Sequence, residues 1–91
     1  MPSAAAAVVE PDRSAAAHFS IHARAEPGVM PRLAGLFAKR GLVPERWHSA
    51  TAASGADLAI DIEIAGLGRD TVEYVASCMR GIIGVELVLV A

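Results

Sequence analysis

The sequence contains a single cysteine, Cys78. One cysteine excludes an internal disulfide and a cysteine-rich metal site, and it is typical of proteins from a reducing compartment. The sequence therefore predicts a cytoplasmic location, and its residues indicate neither a metal ion nor another cofactor.

Aromatic residues, basic charge and long apolar runs are also scarce. Aromatic residues make up 4% of the chain and hydrophobic residues 54%, so the core must be built mainly from aliphatic side chains. The formal net charge is −2, and the 8 Lys and Arg residues are spread along the sequence, which leaves no basic patch for nucleic acid. No apolar run approaches the ~18 residues of a membrane span, and the N-terminus lacks the features of a secretory signal. We expect neither a nucleic-acid nor a membrane partner.

The length of 91 residues allows one hydrophobic core, but not a core together with a deep catalytic cleft. Residues 1–17 are mostly Ala, Ser and Pro without a helical or strand period, which predicts a disordered tail. Residues 18–91 then form one domain. Because this domain contains no cluster of catalytic residue types, we expect a binding or regulatory module rather than an enzyme.

Alternation of apolar and polar residues predicts three strands, at 18–25, 58–64 and 85–90, and a weaker pattern predicts one at 42–51. The weaker strand contains Pro44, which cannot donate a ladder hydrogen bond, so this strand should lie at a sheet edge. In the last strand, the alternation places Leu87 and Leu89 in the core, with Val88 and Val90 on the opposite, open face.

Two apolar stripes with spacings of three and four residues predict helices. The first covers 29–40 and ends at Gly41, and the second begins with Asp70 as its N-cap and ends at Gly81. The order βαββαβ buries every apolar face if both helices pack on one side of a single sheet. Right-handed crossovers then favour an α+β, ferredoxin-like fold whose four-stranded antiparallel sheet has the order 2-3-1-4.

The other face of this sheet is predicted to be polar. It carries Ser20, His22 and Arg24 on the first strand and Asp61 and Glu63 on the third. His18 and His22 share this face of the first strand. Since neither has an acidic or cysteine partner close in sequence, we expect them to be exposed polar groups rather than metal ligands. The two carboxylates are expected to be solvated charges, because an open sheet face provides no pocket for a general acid or base.

The edge strand at 42–51 can pair with the same strand of a second chain, which would extend four strands to eight. We therefore expect a homodimer or a complex with a different chain, with the homodimer as the first expectation. Trp47 lies on this strand, and the sequence leaves open whether its indole seals that interface or fills the core of the single chain.

The segment at 26–42, EPGVMPRLAGLFAKRGL, closely resembles the opening of an ACT domain. Within that family it is most similar to the small regulatory subunit of acetohydroxyacid synthase (acetolactate synthase), and the resemblance extends over residues 18–90. It implies a non-catalytic subunit that binds a large, catalytic thiamine-diphosphate enzyme of branched-chain amino-acid biosynthesis. The alternative is a stand-alone ACT-like module that senses an amino acid or binds another protein.

The resemblance also implies a site for a small amino acid between two subunits. The implied ligand-binding residues are Glu26, Pro27, Gly28, Val29 and Met30 from one subunit and Val43 and Pro44 from its neighbour. A glycine at the start of a helix lets a carboxylate approach backbone N–H groups at the positive end of the helix dipole. A plain connection between strand and helix is the other interpretation of this turn.

Two positions depart from the family pattern. Amino-acid-binding members usually carry asparagine where this sequence has Ala25 and Val43. Neither side chain can form a hydrogen bond with an ammonium or carboxylate group, so the sequence favours support of a protein partner over sensitive control by valine.

Overall fold

A computed structural model describes residues 16–91 of the chain. The elements are, in order, β1 (Ala17–Arg24), α1 (Val29–Lys39), β2 (Arg46–Thr51), β3 (Asp57–Ile64), α2 (Arg69–Arg80) and β4 (Val85–Val90). The tail predicted at 1–17 falls outside the described residues except at its end, where Ala17 begins β1 and pairs with Ile64. None of the helices at 16–91 is long and apolar enough to cross a membrane.

The four strands form one antiparallel sheet with the order β2-β3-β1-β4. The buried residues of both helices belong to the same cluster as the inward-facing residues of the strands, so both helices cover one face of the sheet. This arrangement confirms the predicted ferredoxin-like βαββαβ fold and the predicted edge position of β2.

The core is almost entirely aliphatic, as the composition requires. Phe19 and Phe37 are its aromatic members, and the rest are Ala, Val, Leu, Ile and Met. The indole of Trp47 is half-buried and lies edge-on to Phe37, with ring centroids 6.1 Å apart. In the single chain Trp47 therefore packs against the core, which is one of the two positions that the sequence left open.

The edge strand β2 is shorter than predicted, because it begins at Arg46 rather than at residue 42. Pro44 lies before the strand, and the first ladder bond on this side runs from the backbone N–H of Glu45 to the carbonyl of Glu63, at 2.8 Å. A proline that cannot donate to the ladder thus precedes the pairing instead of interrupting it.

The start of α2 also differs from the prediction. Gly68 is the N-cap, and Asp70 is a residue of the first helical turn rather than the cap. The Gly68 backbone is extended, with φ −73° and ψ 164°, which is the conformation of an N-cap. Asp70 can still stabilise the helix, because its charge lies near the positive end of the helix dipole.

The predicted faces of β4 are wrong, because a β-bulge at Glu86 interrupts the alternation. The register of β4 against β1 shifts at this point, between the pairs His22–Leu87 and Ala23–Val85. Val88 is consequently buried at 2% exposure, whereas Leu87 and Leu89 are 49% and 58% exposed on the open face. The extra residue of a bulge shifts all later side chains of the strand to the opposite face.

Arg40 connects the two helices just after the end of α1. Its Nη2 donates a hydrogen bond to the hydroxyl of Tyr74 at 2.8 Å, and its guanidinium lies 5.0 Å from the centroid of the Tyr74 ring. The hydrogen bond raises the pKa of Arg40 above its ordinary value. The same Nη2 lies 3.6 Å from Sγ of Cys78, which is partly buried in α2.

Candidate functional site

The connection between β1 and α1, residues 26–30, is the candidate site and is called here the β1–α1 turn. The backbone N–H of Glu26 donates to the carbonyl of Arg24 at 2.8 Å, and that of Val29 donates to the carbonyl of Glu26 at 3.2 Å. Gly28 is the N-cap of α1 and provides no side-chain cap, and the first helical turn contains no acidic residue. The positive end of α1 therefore has neither a capping side chain nor an acidic residue in its first turn, and a carboxylate is favoured there.

Arg32 adds a second positive group to this turn. A Cβ atom built on Gly28 would lie 2.8 Å from Nη1 of Arg32, so the guanidinium folds over the Gly28 backbone. The same Nη1 donates to the carbonyl of Ile83, in the loop before β4, at 3.4 Å. No pattern in the sequence marks Arg32 as a site residue, although its position four residues after Gly28 brings it close to that residue on the helix.

Gly84 closes the turn from the side of β4. Its carbonyl accepts a hydrogen bond from the backbone N–H of Arg24 at 2.8 Å, and its φ is +100°. A Cβ atom on Gly84 would lie 2.7 Å from Cγ2 of Val29. The side chain of Val29 is wholly buried in the core, so of this predicted site residue only the backbone faces the turn.

Glu26 contributes the negative charge of the turn and is linked to the open face of the sheet. Its Oε2 lies 3.5 Å from Nη1 of Arg24, and Nε of Arg24 lies 3.9 Å from Oε2 of Glu86. These residues line an open cleft of about 240 Å³ beside Gly84. Glu26 and Pro27 are therefore accessible from solvent at the start of the site, with Glu26 half-buried and Pro27 exposed.

Met30 faces β2 of its own chain. Its Sδ lies 3.6 Å from Oγ of Ser49, and its side chain is 38% exposed. The side chain of Met30 is therefore accessible from solvent beside β2.

Val43 and Pro44 lie at the other end of α1. Val43 is 80% exposed, and both residues line an open apolar cavity of about 390 Å³. The remaining lining residues are Ala34, Phe37 and Ala38 of α1, Leu42 of the loop that follows it, and Trp47 of β2. The structure of the single chain thus brings residues 26–30 together but separates them from Val43 and Pro44.

This architecture matches that of a known protein family. The family model of the ACT-like domain matches residues 10–91. The chain belongs to the ACT-like domain family. ACT domains are regulatory modules without catalytic activity of their own, and they commonly dimerise and bind amino acids.

Solved structures show the same fold in proteins of different function. This ACT-like domain aligns with the ACT domain of a GTP pyrophosphokinase from Chlorobium tepidum at 16% identity and a TM-score of 0.71, over 84% of this chain and 96% of that one. It aligns with an acetolactate synthase small subunit from Thermotoga maritima at 22% identity and a TM-score of 0.70, over 81% of this chain and 45% of that one. No curated protein sequence matches the chain. At these identities the structural matches show the fold alone.

The open sheet face of this ACT-like domain is polar along β1 and β3, as predicted. Oδ1 of Asp61 accepts a hydrogen bond from Oγ of Ser20 at 3.0 Å and lies 3.3 Å from Nε2 of His18. Asp61 and Glu63 form part of a shallow, open depression that also contains His18 and His48. Both carboxylates are partly exposed, as expected for solvated groups on a sheet surface.

Proposed function

We propose that this ACT-like domain is a non-catalytic regulatory small subunit of a cytoplasmic acetohydroxyacid synthase, and that it works as a homodimer in branched-chain amino-acid biosynthesis. The observation that carries the proposal is the β1–α1 turn, where a glycine N-cap and an uncompensated helix N-terminus occur within the segment that resembles those subunits. The similarity in fold to the small subunit from Thermotoga maritima supports the same assignment.

The proposed effector is a small amino acid held at the β1–α1 turn. Its carboxylate would accept hydrogen bonds from the backbone N–H groups of Gly28 and Met30, which have no acceptor within residues 16–91. The guanidinium of Arg32, which lies over Gly28, would add a charge-assisted hydrogen bond to the same carboxylate. Glu26, which precedes Gly28 in the same turn and contacts Arg24, is the acidic group that would pair with the ammonium of the effector.

A second copy of the chain would complete this site. Val43 and Pro44 belong to an exposed apolar surface that is continuous with Trp47 and the edge strand β2. Pairing of two such edges would cover that surface and bring Val43 and Pro44 of one subunit toward the β1–α1 turn of the other. Glu26, Pro27, Gly28, Val29 and Met30 would then form one wall, as the resemblance implies.

The affinity for the effector is expected to be low. Ala25 and Val43 stand where the amino-acid-binding subunits usually carry asparagine, and neither side chain can donate to a carboxylate or accept from an ammonium group. Recognition in this chain would rest on backbone groups and on the charges of Arg32 and Glu26. We therefore expect the chain to support the catalytic subunit rather than to mediate feedback inhibition.

The subunit role is tested by adding the purified chain to the catalytic large subunit from the same genome and measuring acetolactate formation. We expect the maximal rate or the affinity for pyruvate to increase, with saturation at a fixed ratio of the two chains. No change in either quantity would overturn the subunit role.

The effector site is tested by calorimetry of the full chain against the twenty amino acids, with two matched glycine variants. Gly28→Asp places a carboxylate where the effector carboxylate would bind, so we expect it to abolish binding. Gly68→Asp places the same group at the N-cap of α2, where a Cβ atom would meet nothing within 4 Å, and it should leave binding unchanged. Equal effects of the two variants, or binding by none of the amino acids, would contradict the effector site without affecting the subunit role.

A stand-alone regulatory module for another enzyme is the second candidate. The observation that favours it is the coverage of the relatives: the chain spans 96% of the ACT domain from a GTP pyrophosphokinase, but only 45% of the acetolactate synthase small subunit. This candidate predicts amino-acid binding by the chain alone and no effect on acetolactate formation. The two experiments above therefore separate the candidates.

A further inference from the structure

A histidine and two carboxylates from three strands meet on the open sheet face. Nε2 of His22 lies 3.9 Å from Oδ1 of Asp57, and Nδ1 of His22 lies 3.8 Å from Oε1 of Glu86. One donor atom from each residue lies within 4.8 Å of a donor atom from both others. This group is called here the His22 cluster, and it shares no residue with the β1–α1 turn.

The sheet register explains how residues so far apart in sequence come together. His22 is on β1, and Asp57 opens β3 opposite Arg24, two residues further along the same face. Glu86 is the bulge residue of β4, between the partners of His22 and Ala23. Bulges redirect side chains in this way. His22 has no acidic partner close in sequence because both of its partners come from other strands.

The three donors have the chemistry of a transition-metal site. An imidazole nitrogen combined with carboxylate oxygens suits Zn²⁺ and neighbouring divalent ions better than Mg²⁺ or Ca²⁺, which prefer oxygen alone. Bonds of about 2.0–2.2 Å to one ion require the donor atoms to move closer together than their observed separations. The side chains are free to make this movement, since each of the three is between 46% and 49% exposed.

We propose that His22, Asp57 and Glu86 bind a divalent transition-metal ion, with Zn²⁺ as the probe and water completing the coordination. The ion would connect β1, β3 and β4 across the open face. It would also neutralise two carboxylates that lie on either side of one imidazole.

Arg24 links this site to the β1–α1 turn and limits its affinity. Its guanidinium lies 3.9 Å from Glu86 and 3.5 Å from Glu26, so it shares its charge between the two carboxylates. A metal ion on Glu86 must displace this contact and is repelled by the remaining positive charge. Arg24→Gln should therefore increase the affinity for Zn²⁺, an effect that a purely structural role of the residue would not produce.

The histidines of the chain provide an internal control, because all three lie on the open face. Zn²⁺ is titrated into the full, untagged chain while the imidazole resonances of His18, His22 and His48 are followed by NMR. We expect a saturable shift of the His22 resonances at one ion per chain, with His18 and His48 unaffected. No shift of His22, or equal shifts of all three histidines, would overturn the site.

Matched variants give the second readout. His22→Asn should lower the affinity for Zn²⁺ by at least about tenfold, as loss of a metal-site residue does elsewhere, whereas His48→Asn should leave it unchanged. Both side chains are exposed, so neither change should unfold the chain, and thermal unfolding with a chelator present verifies this. Equal affinities of the two variants would contradict the proposal.

Discussion

Replacement of Gly84 by alanine tests the packing of the loop before β4 against the β1–α1 turn. Gly84 has φ +100°, a backbone conformation that residues with a Cβ atom rarely adopt. A Cβ atom here would lie 2.7 Å from Cγ2 of Val29 and 3.3 Å from Oε1 of Glu26. Because Val29 is wholly buried among close-packed side chains, it cannot move away without disturbing the core.

Two penalties combine in Gly84→Ala. Adopting a positive φ costs a residue with a Cβ atom about 1–2 kcal/mol. Overpacking against a buried side chain such as Val29 typically costs about 1–3 kcal/mol more. We therefore expect the free energy of unfolding to fall by about 2–5 kcal/mol, which is a large part of the roughly 5–15 kcal/mol available to a domain.

Gly66→Ala is the matched control for this prediction. Gly66 also has a positive φ, +82°, but a Cβ atom there would meet nothing within 4 Å. It should lose only the backbone contribution, about 1–2 kcal/mol. Urea unfolding, followed by circular dichroism and by the fluorescence of Trp47, measures both variants. Equal losses would refute the contact between Gly84 and Val29, and a smaller loss for Gly84→Ala would refute the backbone argument as well.

Three further changes test the bulge, the core and the turn. Val88→Asp should lower the free energy of unfolding by about 3–5 kcal/mol because it buries an unpaired charge, whereas Leu87→Asp should change it by no more than about 0.5 kcal/mol. The same urea assay compares the two variants, and similar losses would contradict the shifted register. Phe37→Ala should cost about 3–5 kcal/mol and shift the emission of Trp47 to longer wavelength, since the ring contact is lost; an unchanged spectrum would argue against that contact. Arg32→Gln should weaken binding of an amino-acid carboxylate about tenfold in calorimetry, because one charge-assisted hydrogen bond is lost, and it should leave the stability unchanged. Unchanged affinity would exclude Arg32 from the site.

The sequence was sufficient for the fold but not for the register of its last strand. The order of elements followed from apolar spacing, and the edge position of β2 followed from Pro44. In β4, however, aliphatic residues occupy both alternating sets, so the hydrophobic pattern does not specify which set is buried. The pairing of Ala23 with Val85 and the bulge at Glu86 decide it, and both depend on contacts with β1.

The candidate site was predictable only where it is local. Pro27 and Gly28 mark the turn in the sequence, because proline and glycine punctuate the connection between a strand and a helix. Gly84, in contrast, reaches the turn from a loop more than fifty residues away, and its role appears only when its contact with Val29 is known. The burial of the Val29 side chain has the same origin, since the tertiary packing of α1 decides which residues of the first turn face the core.

The separation of the two predicted walls connects effector binding with dimerisation. The 11 residues of α1 span about 16 Å at 1.5 Å per residue, and they lie between the β1–α1 turn and the surface that contains Val43 and Pro44. A small amino acid at the turn can therefore contact Val43 and Pro44 only if these belong to a second chain. An effector that requires both walls binds the dimer and not the monomer, so it must stabilise the dimer by mass action. Its apparent affinity should then fall on dilution below the dimer dissociation constant, whereas an effector bound by the turn alone would show no dependence on protein concentration.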